Sequence, residues 1–139
     1  MALRAVLDTR FYFSYYNPED DEVASWSRKL VQRVSSNEMK VASSTITIIE
    51  LFGTMGRMVG FEVVGTRLSS LRASNIAFIP VTDEIARAAG RITMTSPKIP
   101  IADAIIAATA LLHAGGVVIT DDEHFSIIKG IKLRWLKEV

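Results

Sequence analysis

Residues 100–122 read PIADAIIAATALLHAGGVVITDD, and that stretch decides the fold. Ala102 to Ala114 forms an alanine-rich helix that the pair Gly115-Gly116 ends, two glycines being a strong C-cap signal. Val117-Val118-Ile119-Thr120 is the strand that follows, closed by Asp121-Asp122. A helix feeding a short β-branched strand is one unit of a parallel sheet covered by helices, and the same alternation extends towards the N-terminus. Ala5-Val6-Leu7 is a first buried strand ending at Asp8. Glu22 to Ser35 is helical by period, with Val23, Trp26, Leu30 and Val34 on one face. Lys40-Val41-Ala42-Ser43 is a second strand, followed by a helix from Thr47 to Val59 and, after Gly60, another from about Glu62 to Arg72. Ile76-Ala77-Phe78-Ile79 is a third strand stopped by Pro80. Thr82 or Asp83 caps the next helix, which runs to about Thr95 with Ile85, Ala89 and Ile92 on one face. Residues 96–100 form a stiff connector, and Lys132 to Leu136 is a fifth strand. The expectation is an α/β fold over residues 1–139, one domain with a central, mainly parallel sheet flanked by helices.

Composition narrows the function without naming it. At 139 residues with 49% apolar side chains, the chain can bury a core without staples. It has no cysteine, which excludes disulfides, thiolate chemistry and Cys-ligated zinc. Asp8 arrives too early for a secretory leader, and no uncharged apolar run nears the roughly 18 residues of a membrane span. A soluble, cytoplasmic protein is expected, with no membrane partner. The net charge of +1 does not announce a nucleic-acid binder. Acids gather in Glu19-Asp20-Asp21-Glu22 and Asp121-Asp122-Glu123. The last stretch carries Lys129, Lys132, Arg134 and Lys137, either a contact surface or a solvated terminus.

Four acidic signatures stand at the borders of apolar stretches: Leu7-Asp8-Thr9, Thr47-Ile48-Ile49-Glu50-Leu51, Pro100-Ile101-Ala102-Asp103-Ala104, and Thr120-Asp121-Asp122-Glu123-His124-Phe125. A charge in such surroundings costs free energy unless something compensates it. Carboxylates brought together repel, and a divalent cation relieves the repulsion. In an open α/β sheet, ligands bind beyond the carboxyl ends of the strands, where Asp8, Asp121 and Asp122 fall. Each acid has a structural alternative. Asp8 could cap the following segment, and Asp103 could complement a helix dipole. Thr47-x-x-Glu50 has the form of a capping box. Asp121 and Asp122 could be turn residues.

Order and context together resemble the PIN-domain family, especially its short VapC-type toxins, along nearly the whole chain. That family has an Asp followed by Ser or Thr at the first strand, matching Asp8-Thr9. Its Glu at the start of a central helix matches Glu50. A Pro-x-x-Asp-Ala-x-Ile-Ala-Ala-like segment matches Pro100 through Ala108 with Asp103 as its acid, and Thr-x-Asp-x-x-Phe matches Thr120, Asp122 and Phe125. The last alignment selects Asp122 over Asp121, with Phe125 as a packing anchor and Thr120 orienting a carboxylate or binding phosphate. Arg10 departs from the small polar residue common at its position and either clamps a phosphate or screens the site. Arg57, seven positions after Glu50 on the same helical face, is a phosphate contact or a surface ion pair.

Other motifs fail. Gly60-x-x-x-x-Gly65-Thr66-Arg67 lacks the lysine of a P-loop, and Asp8-Thr9-Arg10 lacks the second aspartate of a dehalogenase-like phosphatase. His113 and His124 have no paired metal-ligand spacing. The resemblance implies a metal-dependent endoribonuclease in which Asp8, Glu50, Asp103 and Asp122 hold Mg²⁺ or Mn²⁺, with Thr9, Arg10, Thr120 and Asp121 in support. It further implies an RNA substrate, a homodimer, and an antitoxin whose segment covers an apolar groove to which Met55, Met58 and Phe61 contribute. The alternatives are a catalytically silent protein- or RNA-binding module, a PIN nuclease of ribosomal RNA processing, and a phosphatase or DNA nuclease using the same acids.

Overall fold

Parallel strands cannot be joined by a tight turn, so each must return through a crossover that packs on the sheet. The computed structural model describes residues 1–136 and has that form. Its strands are β1 (Leu3–Leu7), β2 (Lys40–Ser44), β3 (Ala77–Ile79), β4 (Val117–Ile119) and β5 (Lys132–Arg134). They form one sheet in the order β3-β2-β1-β4-β5, and every pairing is parallel. The helices are α1 (Thr9–Tyr16), α2 (Asp21–Ser35), α3 (Thr45–Val59), α4 (Phe61–Ala73), α5 (Asp83–Thr95) and α6 (Ile101–His113), and a 3₁₀ turn at Glu123–Ile127 links the last two strands. The expected α/β architecture is correct. Lys137, in the basic terminal stretch, lies outside the described residues.

A parallel sheet is covered on both faces, so successive side chains enter two different cores. Ala5 and Leu7 join Phe11, Tyr12, Val34 and Leu51 on one face, whereas Val6 joins Ala104, Ala107, Ile85 and Phe125 on the other. Ile119 and Val118 divide in the same way. The small side chains of α6 let it lie close over β1 and β4. That contact fixes the amino end of α6 beside the carboxyl ends of those strands.

Helix starts follow local chemistry. Asp20 accepts from the Val23 amide at 2.8 Å, and Thr82, rather than Asp83, accepts from the Ile85 amide at 3.2 Å. The α3 cap differs from expectation. Ser44 accepts from the Ile46 amide at 3.1 Å, so the helix begins two residues before Thr47. The Thr47-x-x-Glu50 capping box therefore does not form, and Glu50 sits on the second turn. Helix α1 was not legible because its aromatic sequence has no clear polar face. It is held by Phe11 and Tyr12, both fully buried. The Tyr12 hydroxyl lies 2.6 Å from Ser43 Oγ, which in turn donates to the Leu7 carbonyl at 2.9 Å. β5 stops at Arg134, and Trp135 packs on Trp26 with ring centroids 4.6 Å apart.

The turn between α6 and β4 depends on glycine. Gly116 has φ +84°, and a Cβ there would stand 2.1 Å from the Gly130 carbonyl oxygen. Gly115 also has positive φ, but nothing lies within 4 Å of its Cβ position. Urea unfolding is expected to show Gly116→Ala destabilised by about 3 kcal/mol or more, from a clash added to backbone strain. Gly115→Ala should lose only about 1 kcal/mol. Equal losses would show that the close approach to Gly130 is unimportant.

Candidate functional site

Chain direction across the sheet reverses between β1 and its neighbour β4, and at such a switch point the crossovers diverge to leave a crevice. Asp8 follows β1 directly, and its amide still donates to the Ile119 carbonyl at 3.1 Å. Thr120, Asp121 and Asp122 follow β4. α3 leaves the carboxyl end of β2 with Glu50 on its second turn, and α6 presents Asp103 in its first turn. Topology alone thus directs all these side chains to one end of the sheet.

Asp8 is only 3% exposed. Although it occupies the N-cap position of α1, its side chain makes no capping hydrogen bond. It accepts instead from the Thr120 hydroxyl at 2.7 Å. Burial is the main reason its pKa rises to about 7. The Thr120 bond and the Thr9 amide oppose the rise, and the charges of Asp103 and Glu50 add to it. Thr120 is itself buried and accepts from the Asp122 amide at 3.0 Å, so it orients a carboxylate and is not free to meet a phosphate.

The buried Thr9 hydroxyl donates to Glu50 Oε1 at 2.6 Å and lies 3.0 Å from the Thr47 hydroxyl. Thr47, expected as a cap, is therefore part of the support beneath Glu50. Asp103 is half-buried and its pKa rises to about 6. Burial is the largest cause, the charges of Asp122 and Glu50 add to it, and His124 and Arg10 oppose it. Asp122 Oδ1 caps the 3₁₀ turn through the His124 amide at 3.0 Å and lies 2.7 Å from His124 Nδ1. Asp121 turns away and pairs with Arg10 Nε at 2.5 Å. The adjacent aspartates therefore have different partners, and the charge of Asp122 acts on Asp103. His124 has no paired-histidine spacing to mark it in the sequence; its signal is the Asp122-x-His124 spacing at the start of the 3₁₀ turn. Arg57 lies elsewhere, beside Phe52 and Phe61.

The four sequence-selected acids thus share one electrostatic neighbourhood, with Asp8, Glu50, Asp103 and Asp122 acting on one another as like charges. Among the described residues, no three acidic or histidine side chains are set tightly enough to hold a metal ion. The donor chemistry nonetheless fits magnesium or manganese: hard oxygens in mutual repulsion suit an ion that keeps several waters and takes one or two carboxylates directly.

Burial of these acids has a consequence for stability. The folded state holds the Asp8 proton up to about pH 7, whereas the ordinary value is 3.8. Between those values it binds more protons than the unfolded chain, so stability falls as pH rises through the window. Asp103 adds a shorter window, ending near 6. In EDTA, the wild-type melting temperature should fall from acid to alkaline pH across this range. Asp8→Asn should flatten the fall and melt higher than wild type above pH 7. Superimposable profiles would contradict the buried-charge account.

The PIN domain family model matches residues 5–131. No curated protein matches the sequence. Among solved structures, the VapBC2 complex of Rickettsia felis bound to a promoter DNA fragment has a TM-score of 0.73 at 17% identity, covering 96% of this chain and 98% of that one. DNA-bound VapBC of Salmonella typhimurium has a TM-score of 0.71 at 21% identity, with 96% and 98% covered. VapC20 of Mycobacterium tuberculosis, a toxin that cleaves the sarcin-ricin loop, has a TM-score of 0.72 at 16% identity, with 94% and 98% covered. At such identities these likenesses speak for the fold. With the family match spanning nearly the whole sequence, this chain belongs to the PIN domain family.

Proposed function

We propose that this chain is a metal-dependent endoribonuclease, the toxin of a VapBC-type pair, and that residues 1–139 form its single nuclease domain. What supports the reading is the electrostatic neighbourhood that Asp8, Glu50, Asp103 and Asp122 share near the switch point: burial raises the pKa values of Asp8 and Asp103, and the charges of neighbouring acids add to the rise. Mg²⁺ or Mn²⁺ held there would supply Lewis acidity and a deprotonated water for phosphodiester hydrolysis. Thr120 Oγ1 fixes the direction of Asp8, and Thr9 Oγ1 that of Glu50. The amino end of α6 adds partial positive charge where a phosphate would lie. No side chain need form a covalent intermediate.

An antitoxin is the proposed protein partner, supported by the complexes among the structural relatives. The surface that suits it is a groove of about 570 Å³ beside the acids, between α1 and α3. Of the three residues proposed to contribute, Met55 forms its buried floor and Met58 its rim, 81% exposed. Phe61 does not line this groove; it stacks on Phe52 over the neighbouring depression. A homodimer is also proposed, for which exposed Ile49, Met94 and Ile101 leave apolar surface. No helix of the described residues is long and apolar enough to cross a membrane.

The deciding experiment is cleavage of an RNA pool, including ribosomal RNA stem-loops, with Mg²⁺, Mn²⁺ or EDTA. Asp103→Asn should lower cleavage about 100-fold, and Thr120→Val, which removes the hydrogen bond to Asp8 and the acceptor of the Asp122 amide, about 10-fold. Asp122→Asn should reduce metal-dependent turnover more than Asp121→Asn. Cleavage that ignores EDTA and Asp103→Asn would defeat the proposal, and a folded protein without activity on any RNA would favour the silent binding module.

Glu50→Gln separates charge from shape. The amide still accepts from Thr9, so the variant should fold. The rise in melting temperature that Mg²⁺ gives by mass action should shrink, and single-turnover cleavage should fall with it. An unchanged metal shift would remove Glu50 from the proposed site.

A further inference from the structure

The acid cluster faces a difficulty with its proposed substrate, since a concentration of carboxylates repels a phosphate backbone. A permanent cation on the same surface is Arg10, whose charge acts on Asp103. Arg10 stands on the first turn of α1, immediately beyond Asp8 and Thr9. Its Nε is bonded to Asp121 Oδ1, and its side chain remains 51% exposed. A guanidinium has five N–H donors, and this bond uses one, leaving the two terminal nitrogens for a further acceptor. Arg10 and Asp121 both line the 570 Å³ groove, whose other lining residues include Phe13, Tyr16 and Arg67. Arg10 also lowers the proton affinity of Asp103, and the charges of Asp122 and Asp8 act on it in return. It therefore stands where the acid cluster opens into the groove.

We propose that Arg10, held in position by Asp121, binds the RNA phosphate adjacent to the scissile one as the strand passes from the acid cluster towards the groove. The inference rests on the endoribonuclease reading and deepens it. Asp121 has a positioning role. By engaging Nε it fixes the plane of the guanidinium, so the terminal nitrogens face outward and little side-chain freedom is lost when a phosphate arrives. A fixed cation outside the acid cluster also suits the electrostatics, attracting the backbone without taking a ligand from the metal. The adjacent aspartates then divide their work, Asp122 towards the acids and Asp121 towards Arg10.

The test combines kinetics with the salt dependence of binding. Binding of short single-stranded RNAs would be measured across a salt series in EDTA, with Asp103→Asn protein to prevent cleavage. Arg10→Gln in that background should reduce the slope of log affinity against log salt by about 0.7, the contribution of one phosphate contact on a single strand. In otherwise wild-type protein, Arg10→Gln should raise KM about tenfold, with the loss falling on KM more than on kcat. Arg10→Lys should keep the salt slope and recover part of the KM. Asp121→Asn should raise KM by a smaller factor, and should add nothing once Arg10 is Gln.

An unchanged KM and salt slope in folded Arg10→Gln, while wild type cleaves and Asp103→Asn does not, would overturn this inference and leave the nuclease reading standing. Tighter Mg²⁺ binding in Arg10→Gln with an unchanged RNA salt slope would overturn it as well, showing that Arg10 only screens the acids. Wild-type protein that neither binds nor cleaves RNA would end both.

Discussion

The hydrogen bond from Thr120 to Asp8 crosses the seam between β1 and β4, and the remaining site geometry is arranged around it. The same threonine oxygen accepts the Asp122 amide, and the Thr120 backbone amide donates to the Arg134 carbonyl in β5. One residue thereby links the carboxyl ends of three neighbouring strands. Were β4 to slip by one position against β1, the threonine would turn to the opposite face, because side chains alternate along a strand. Val118 packs in one core and Ile119 in the other, so the slip would also exchange the faces of both residues. Packing sets the register, and the register places Thr120 against the acid.

That arrangement stabilises Asp8 only in part. A hydroxyl donor and a nearby amide do not replace the hydration lost on burial, so the carboxyl retains its proton into the neutral range. Other polar groups around the sheet ends are better satisfied: Ser43 links Tyr12 to the Leu7 carbonyl, and Ser44 caps α3. Among the described residues, no buried side-chain nitrogen or oxygen lacks a partner. The discomfort comes first from hydration lost on burial, with the neighbouring carboxylates adding to it, and not from missing hydrogen bonds. Local departures from an otherwise consistent fold tend to mark function.

Much of this was legible in the sequence, for identifiable reasons. Alanine-rich α6 and the β-branched run after Gly115-Gly116 gave a parallel unit because helix, cap and strand signals agreed. Asp8 and Asp103 were legible because apolar neighbours make an acid conspicuous. α1 was not, since five of the eight residues of Thr9–Tyr16 are aromatic and its helix depends on burial of Phe11 and Tyr12. The start of α3 was misplaced because two hydroxyl residues, Ser44 and Thr47, compete for the cap. Only the strand end at Ser44 decides between them. The contacts of Asp121 with Arg10 and of Asp122 with His124 depend on the turn after β4, whose dihedral angles no local pattern specifies.

A net charge of +1 looks unpromising for a protein proposed to act on a polyanion. Bulk charge governs long-range attraction, whereas a cleavage site depends on charge arranged over a few ångströms. The acids lie at the sheet ends because a parallel sheet presents its crevice there. Arg10 and Arg67 lie along the adjoining groove, and the Arg67 guanidinium is 4.5 Å from the Tyr16 ring centroid. Cations thus adjoin the acid cluster along one surface, with Glu19 also on the groove and Asp121 paired with Arg10. A divalent cation would reverse the sign at the acidic end. With that reversal the surface would become attractive to phosphate along its length, so substrate affinity and metal occupancy would be coupled through simple charge balance.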